Sequence, residues 1–150
     1  MNLTYRKATA QDIDRIFELS KKLIEDYEQP GSIDLPRVLQ WVRCKIENAI
    51  EEYTVVYANG QKAGYYHFFR NEDGQLELDD LYIFPSFQNR GIGTAIIQKC
   101  LASVNERVIL YVFIKNTRAI SLYRKLGFEV AKTVHSSRYI MHSHFHHREE

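Results

Sequence analysis

Pro85-Ser86-Phe87-Gln88-Asn89-Arg90-Gly91-Ile92-Gly93-Thr94 is the stretch that decides the fold. Pro85 ends an apolar run, and Gly91 and Gly93 permit a tight turn. From Ile92 onward, Ala95, Ile96 and Cys100 recur at helical spacing, with Ile97 and Leu101 beside them. The pattern predicts strand, short glycine loop, then helix over Gly91–Val104. The first turn of such a helix leaves backbone N–H groups unpaired and carries partial positive charge. Arg90 adds more, so the site suits a pyrophosphate. A Gly-x-Gly pair is equally compatible with a plain turn. Two other phosphate motifs fail in detail. Ile96 stands where the dinucleotide fingerprint needs Gly or Ala, and no Gly-Lys-Ser/Thr tripeptide occurs.

Working back from Pro85, a strand over about Gln75–Phe84 changes phase. Leu76 and Leu78 share one face, Leu81 and Ile83 the other, and Asp79 and Asp80 stand between. A bulge near the two acids would restore the inward face. A strand buried on both faces past Leu81 would read the same way. Asn71-Glu72-Asp73-Gly74 turns the chain before it, Ala63–Arg70 is a strand, and Asn59-Gly60 is a hairpin signal after Tyr53–Tyr57. Two helices come earlier. Thr9 caps the first, which runs through Ile13, Ile16, Ser20 and Tyr27 and stops at Gln29-Pro30-Gly31-Ser32. Asp34 and Pro36 open the second, with Val38, Leu39, Trp41, Val42, Ile46 and Ile50 as its apolar face. Leu3–Ala8 reads as the first strand.

Working forward, Val108–Ile114 has buried-strand character. Asn116–Leu126 is a helix ended by Gly127, and Phe128–Val134 and Ser137–His142 are strands. The order βααβββαβαββ gives a mixed α/β sheet with a strand–helix–strand crossover.

At 150 residues the chain fits one domain. A formal net charge of +1 argues against a strongly basic nucleic-acid binder. Cys44 and Cys100 lack ligand-spaced neighbours and read as two reduced, buried thiols. No apolar run is long enough for a bilayer, and charges fill the first twenty residues, so a cytoplasmic protein is expected. No metal site is expected. The His-dense ending, His142 to His147, reads as a frayed terminus.

Gln88-x-x-Gly91-x-Gly93, preceded by Tyr82-Ile83-Phe84-Pro85, resembles the acyl-CoA-binding motif of the GNAT superfamily of N-acyltransferases. Asn116-x-x-Ala119-x-x-Leu122-Tyr123-x-x-Leu126-Gly127-Phe128 is similar to that superfamily's second motif. The element order matches over essentially the whole chain. The resemblance implies a GNAT-like single domain over 1–150, with the sheet splayed between the fourth and fifth strands; about 143–150 reads as a frayed tail. It implies acetyl-CoA as acyl-donor cosubstrate. Gln88, Asn89, Arg90, Gly91, Ile92, Gly93 and Thr94 would form its cradle, the amides from about Asn89 holding the pyrophosphate. The backbone of Tyr82, Ile83 and Phe84 would pair, strand-like, with the pantetheine arm. Asn116 would contact that arm, and Tyr123 would stand near the thioester sulfur as general acid. Taken singly, Asn116 is also a good helix cap and Tyr123 a good core aromatic.

Acetyl transfer to a primary amine has three needs. The ammonium, of pKa about 10.4, must lose a proton. The developing oxyanion needs fixed donors, expected near the Ile83 amide, and the departing thiolate benefits from a proton. Tyr123 is the candidate for the last. Asp79 and Asp80 rank jointly ahead of Glu77 as base, although acids that only bind the substrate's charge would look alike. Family placement favours Glu77 and Asp79. The expected acceptor is a small-molecule or peptide/protein amine, and the resemblance implies that about Leu23–Arg37 and Thr133–His142 meet it. Glu25, Asp26 and Glu28 make either an acidic mouth or a solvated helix end. No nucleic-acid or membrane partner is expected, and the chain would be a monomer or homodimer. The competing reading is a non-catalytic acyl-CoA-binding sensor.

Overall fold

The computed structural model describes residues 1–29 and 31–144. Strand β1 (Leu3–Lys7) gives way to a helical start fixed by reciprocal capping. The Thr9 hydroxyl accepts from the Gln11 amide, and the Asp12 carboxylate accepts from the Thr9 amide at 2.9 Å. A single 3-10 turn, Ala10–Asp12, leads into α1 (Ile13–Tyr27). Asp34 caps α2 (Leu35–Ala49) by accepting from the Arg37 amide, with Pro36 in the first turn. Trp41 does not join the apolar face as expected: it is 65% exposed. The buried stripe follows Val42 and Ile46, and Trp41 falls on its flank. Cys44, on the same helix, is exposed rather than buried.

Strands β2 (Tyr53–Ala58) and β3 (Gln61–Arg70) are joined at Asn59-Gly60, both with positive φ, as a two-residue hairpin requires. Then follow β4 (Leu76–Ile83), α3 (Ile92–Ala102), β5 (Val108–Phe113), α4 (Thr117–Lys125), β6 (Phe128–Val134) and β7 (Arg138–Ser143). The order is the one expected, βααβββαβαββ. The seven strands line up as β1-β2-β3-β4-β5-β7-β6. Neighbours are antiparallel except β4 and β5, whose parallel register covers Leu76↔Val108 and Glu77↔Ile109. Asp80, with φ +49°, carries the backbone irregularity expected of the phase change.

The chain forms two compact units, one of Met1–His67 and Asp80–Phe87, the other of Phe68–Asp79 and Gln88–Glu150. Ala8, Ile16, Ile46, Tyr53, Val55 and Tyr65 make the core of the first. In the second, α3 buries Ile92, Ile96, Ile97 and Cys100. Ser143, expected in the frayed tail, ends β7 instead. It is buried, and its hydroxyl accepts from the Val108 amide at 2.9 Å. The expectation for 145–150 lies outside the described residues.

Candidate active site

In the second unit, residues 88–91 form an exposed loop in which Asn89 (φ +64°) and Gly91 (φ +80°) both adopt the left-handed region. Alternating left-handed residues give the backbone pattern of an anion-binding nest. Gly91 is the N-cap of α3 and provides no side-chain cap. The first-turn amides of Ile92, Gly93 and Thr94 therefore lack the usual hydroxyl or carboxylate partner. A Cβ at Gly91 would meet nothing within 4 Å, and one at Gly93 would touch only Leu122 Cδ2 at 3.6 Å. Internal packing thus leaves room for side chains at both positions. Open space over an uncapped helix start fits a bound pyrophosphate.

Helix α4 brings three groups to this region. Arg118 Nη2 donates to Asn89 Oδ1 and so ties the left-handed residue to α4. Arg118 was not singled out from sequence, because nothing in its neighbours marks a bond spanning 29 residues. Asn116 is the N-cap: its Oδ1 accepts from the Ala119 amide at 3.3 Å, which leaves the amide NH₂ to donate elsewhere. Tyr123 is half-buried, with its ring 5.9 Å from Phe128. Burial first, and the negative charge of Asp79 second, push its phenol up to about 12. Its O–H has no hydrogen-bond partner among the described residues.

The acids separate. Asp79 belongs with Tyr123, through the field just described. Glu77 accepts from Asn71 Nδ2 at 3.2 Å. Both, with Asp73, also act through their charge on Tyr111, a 41% exposed tyrosine on β5. Burial and then these charges raise its phenol, against the opposing charge of Arg138. Asp80 belongs to the other unit. There its carboxylate accepts from Tyr53 at 2.5 Å and Tyr82 at 2.9 Å. In that unit the Phe84 amide donates to the Ala63 carbonyl at 2.8 Å. Gly64 lies so near β4 that a Cβ there would sit 2.1 Å from the Tyr82 carbonyl oxygen. His67 is a hydrogen-bonded sheet histidine: Nε2 donates to Glu52 at 2.9 Å and the ring stacks on Tyr53.

Comparison with known proteins identifies the family. The model for the acetyltransferase (GNAT) family matches residues 14–128. The chain belongs to that family. It is 26% identical over 141 residues to an uncharacterised N-acetyltransferase of Methanocaldococcus jannaschii, covering 87% of this chain and 62% of the relative. An uncharacterised N-acetyltransferase of Mycobacterium bovis is 35% identical over 79 residues, 50% of this chain and 51% of the relative. The chain thus spans about half to three fifths of the length of these relatives. Its fold is similar to the PaiA N-acetyltransferase of Thermoplasma acidophilum solved with coenzyme A: TM-score 0.73, 19% identity, 97% of this chain and 100% of that one. It is also similar to the Vibrio cholerae spermidine N-acetyltransferase solved with CoA and spermine: TM-score 0.65, 19% identity, 93% and 94%. No helix among the described residues is long and apolar enough to cross a membrane.

Proposed function

We propose that the chain acts as one N-acetyltransferase domain over 1–150, moving an acetyl group from acetyl-CoA to a primary amine of a small molecule or peptide. One observation carries the reading: Tyr123, whose O–H has no hydrogen-bond partner among the described residues, stands on the helix that Arg118 ties to an uncapped anion cradle. Gln88 and the amides from Asn89 to Thr94 would hold the pyrophosphate. Asn116 Nδ2 and the backbone of Tyr82, Ile83 and Phe84 would bind the pantetheine arm. Acetyl-CoA supplies the activated thioester. The residues of this chain supply orientation and proton control.

Tyr123 acts by donating a hydrogen bond to the departing sulfur. Full proton loss from a phenol near 12 to a thiolate of pKa about 8.5 is uphill by about 3 to 4 pKa units. The net proton therefore comes from the amine. Asp79 is the preferred base, since it shares Tyr123's surroundings and Glu77 is held by Asn71. Asp80, with both oxygens accepting phenols, is the weaker candidate. A cationic acceptor suits Glu77 and Asp79. It also suits the 280 Å³ cleft in the first unit where Glu25 and Glu28 flank Ile24, Ile33 and Leu35. The spermine in the Vibrio cholerae enzyme is an amine of that type. A cytoplasmic monomer or homodimer completes the reading.

The test is thiol release from acetyl-CoA against a panel of amines and peptides. Wild type should turn over at least one amine, and Tyr123→Phe should lower kcat at least tenfold. Tight acetyl-CoA binding with no release from any amine would favour the sensor reading instead.

A further inference from the structure

Asp80 is the irregular point of β4, and the structure builds a latch around it. Its φ of +49° is unusual for any residue with a Cβ, although aspartate tolerates it better than most. Both carboxylate oxygens are engaged. Tyr53 donates to Oδ2 at 2.5 Å and Tyr82 to Oδ1 at 2.9 Å. The one proton of Tyr82 is thereby committed, so Ser20 Oγ, 2.7 Å away, must donate to the Tyr82 oxygen. The result is a directed chain, Ser20 to Tyr82 to Asp80, met from the other side by Tyr53. It joins α1, β2 and β4 within one unit through part-buried hydrogen bonds, and such chains strengthen one another where water is partly excluded.

Two of these groups occupy positions where a hydroxyl is costly. Ser20 is 5% exposed and lies on the buried stripe of α1 with Ile16. Tyr53 is fully buried, its ring stacked on His67 at 4.4 Å. An alanine and a phenylalanine would pack there without needing a partner. The same stretch of β4 is pressed from β3, where Gly64 admits the Tyr82 carbonyl. Both devices converge on one feature, the backbone path through Asp80, Tyr82 and Ile83.

We infer that Tyr53 and Ser20 are positioning residues for acetyl transfer. Acting through Asp80, they hold the β4 irregularity so that the Tyr82–Ile83 backbone keeps its place toward the thioester. The inference rests on the acetyltransferase reading. It gives Asp80 a conformational task instead of a proton-transfer one, and it accounts for a buried serine that helix packing does not require.

The test compares Tyr53→Phe, Ser20→Ala, Asp80→Gly and the Tyr53→Phe/Asp80→Gly double variant, each with a melting curve. Glycine adopts the left-handed conformation without a latch. Tyr53→Phe should lower kcat about tenfold or more, with the acetyl-CoA KM within about threefold, because a misplaced backbone weakens the reacting geometry more than the cradle. Ser20→Ala should do the same to a smaller degree. In the Asp80→Gly background Tyr53→Phe should have no further effect. Either single variant with kcat within threefold of wild type, or an additive loss in the double variant, overturns the latch. So does a loss confined to KM or to melting temperature. An inactive wild type instead removes the acetyltransferase reading, and the latch with it.

Discussion

Replacing Gly64 with alanine should separate the backbone geometry of β4 from its side chains. The new Cβ would sit 2.1 Å from the Tyr82 carbonyl oxygen, 3.1 Å from its carbon and 3.2 Å from the Ile83 Cα. Ordinary contact begins at 3.4 Å, so the oxygen must retreat by about 1.3 Å. The obstacle is backbone, which has no rotamer by which to escape. Overpacked cores lose about 1–3 kcal/mol when side chains can adjust, and this site belongs at the upper end or beyond. At about 3 kcal/mol, a chain of this size should melt roughly 6–12 °C lower. A displacement near 1 Å in reacting geometry costs about a hundredfold in rate, equal to about 2.7 kcal/mol. Gly64→Ala should therefore lower kcat/KM for acetyl-CoA by about that factor at temperatures well below its melting point. Gly60→Ala is the control. Its φ of +82° is unfavourable for alanine, but nothing lies within 4 Å, so it should lose about 1–2 kcal/mol of stability and keep full activity. Calorimetry and thiol-release kinetics on the three proteins decide. A Gly64→Ala protein within 2 °C of wild type and within threefold in kcat/KM would show that the Tyr82–Ile83 path is neither tight nor needed.

Three further outcomes follow from the titrating groups. Burial and the charge of Asp79 keep the Tyr123 phenol protonated to about pH 12, so an alkaline limb in kcat/KM centred below about pH 10 belongs to another group. It should persist at reduced height in Tyr123→Phe, and its disappearance there would remove the donor role. Burial alone would raise Asp12, but the hydrogen bond from Lys62, then those from the Thr9 amide and Tyr65, hold its carboxyl below the usual range. A carboxyl lowered on folding stabilises above its unfolded pKa of about 3.9 and loses that contribution as pH falls through the folded value. Melting temperature should therefore drop more steeply below about pH 4 in wild type than in Asp12→Asn, and equal slopes would deny the linkage. Burial raises the Cys100 thiol to about 11 while Cys44 is exposed, so a thiol reagent at pH 7.5 should label one cysteine in the native protein and two after unfolding. Rapid labelling of both would mean that α3 opens.

Where a local backbone rule writes the structure, the residues were readable. Thr9 and Asp34 cap, Asn59-Gly60 turns, Gly91 starts α3 left-handed, and the element order follows. The two motifs around Gly91 and Asn116 were readable for the same reason, since each needs particular residues within a few positions. What escaped depends on partners distant in sequence. Trp41 has the composition of a core residue, and only the angular position of Ile46 on α2 puts it outside. Arg118 acquires meaning through Asn89, 29 residues earlier, and Gly64 through the Tyr82 carbonyl.

The strand acids illustrate why such residues resist reading in one dimension. Asp79 and Asp80 are chemically identical and adjacent, and the phase change between Leu78 and Leu81 says only that something irregular happens there. It does not say which of the two residues takes the irregular conformation. That is settled by hydroxyls 62 and 27 positions upstream of their partners: Ser20 supports Tyr82, Tyr53 meets the carboxylate, and Asp80 takes φ +49° between them. Asp80 is committed to two phenols, whereas the charge of Asp79 acts on Tyr123. Burial first, and the charge of Asp79 second, raise the Tyr123 phenol. The different surroundings of the two aspartates thus follow from packing that no local motif encodes. It also implies that exchanging their roles would require moving Tyr53 and Ser20 as well as the acids themselves.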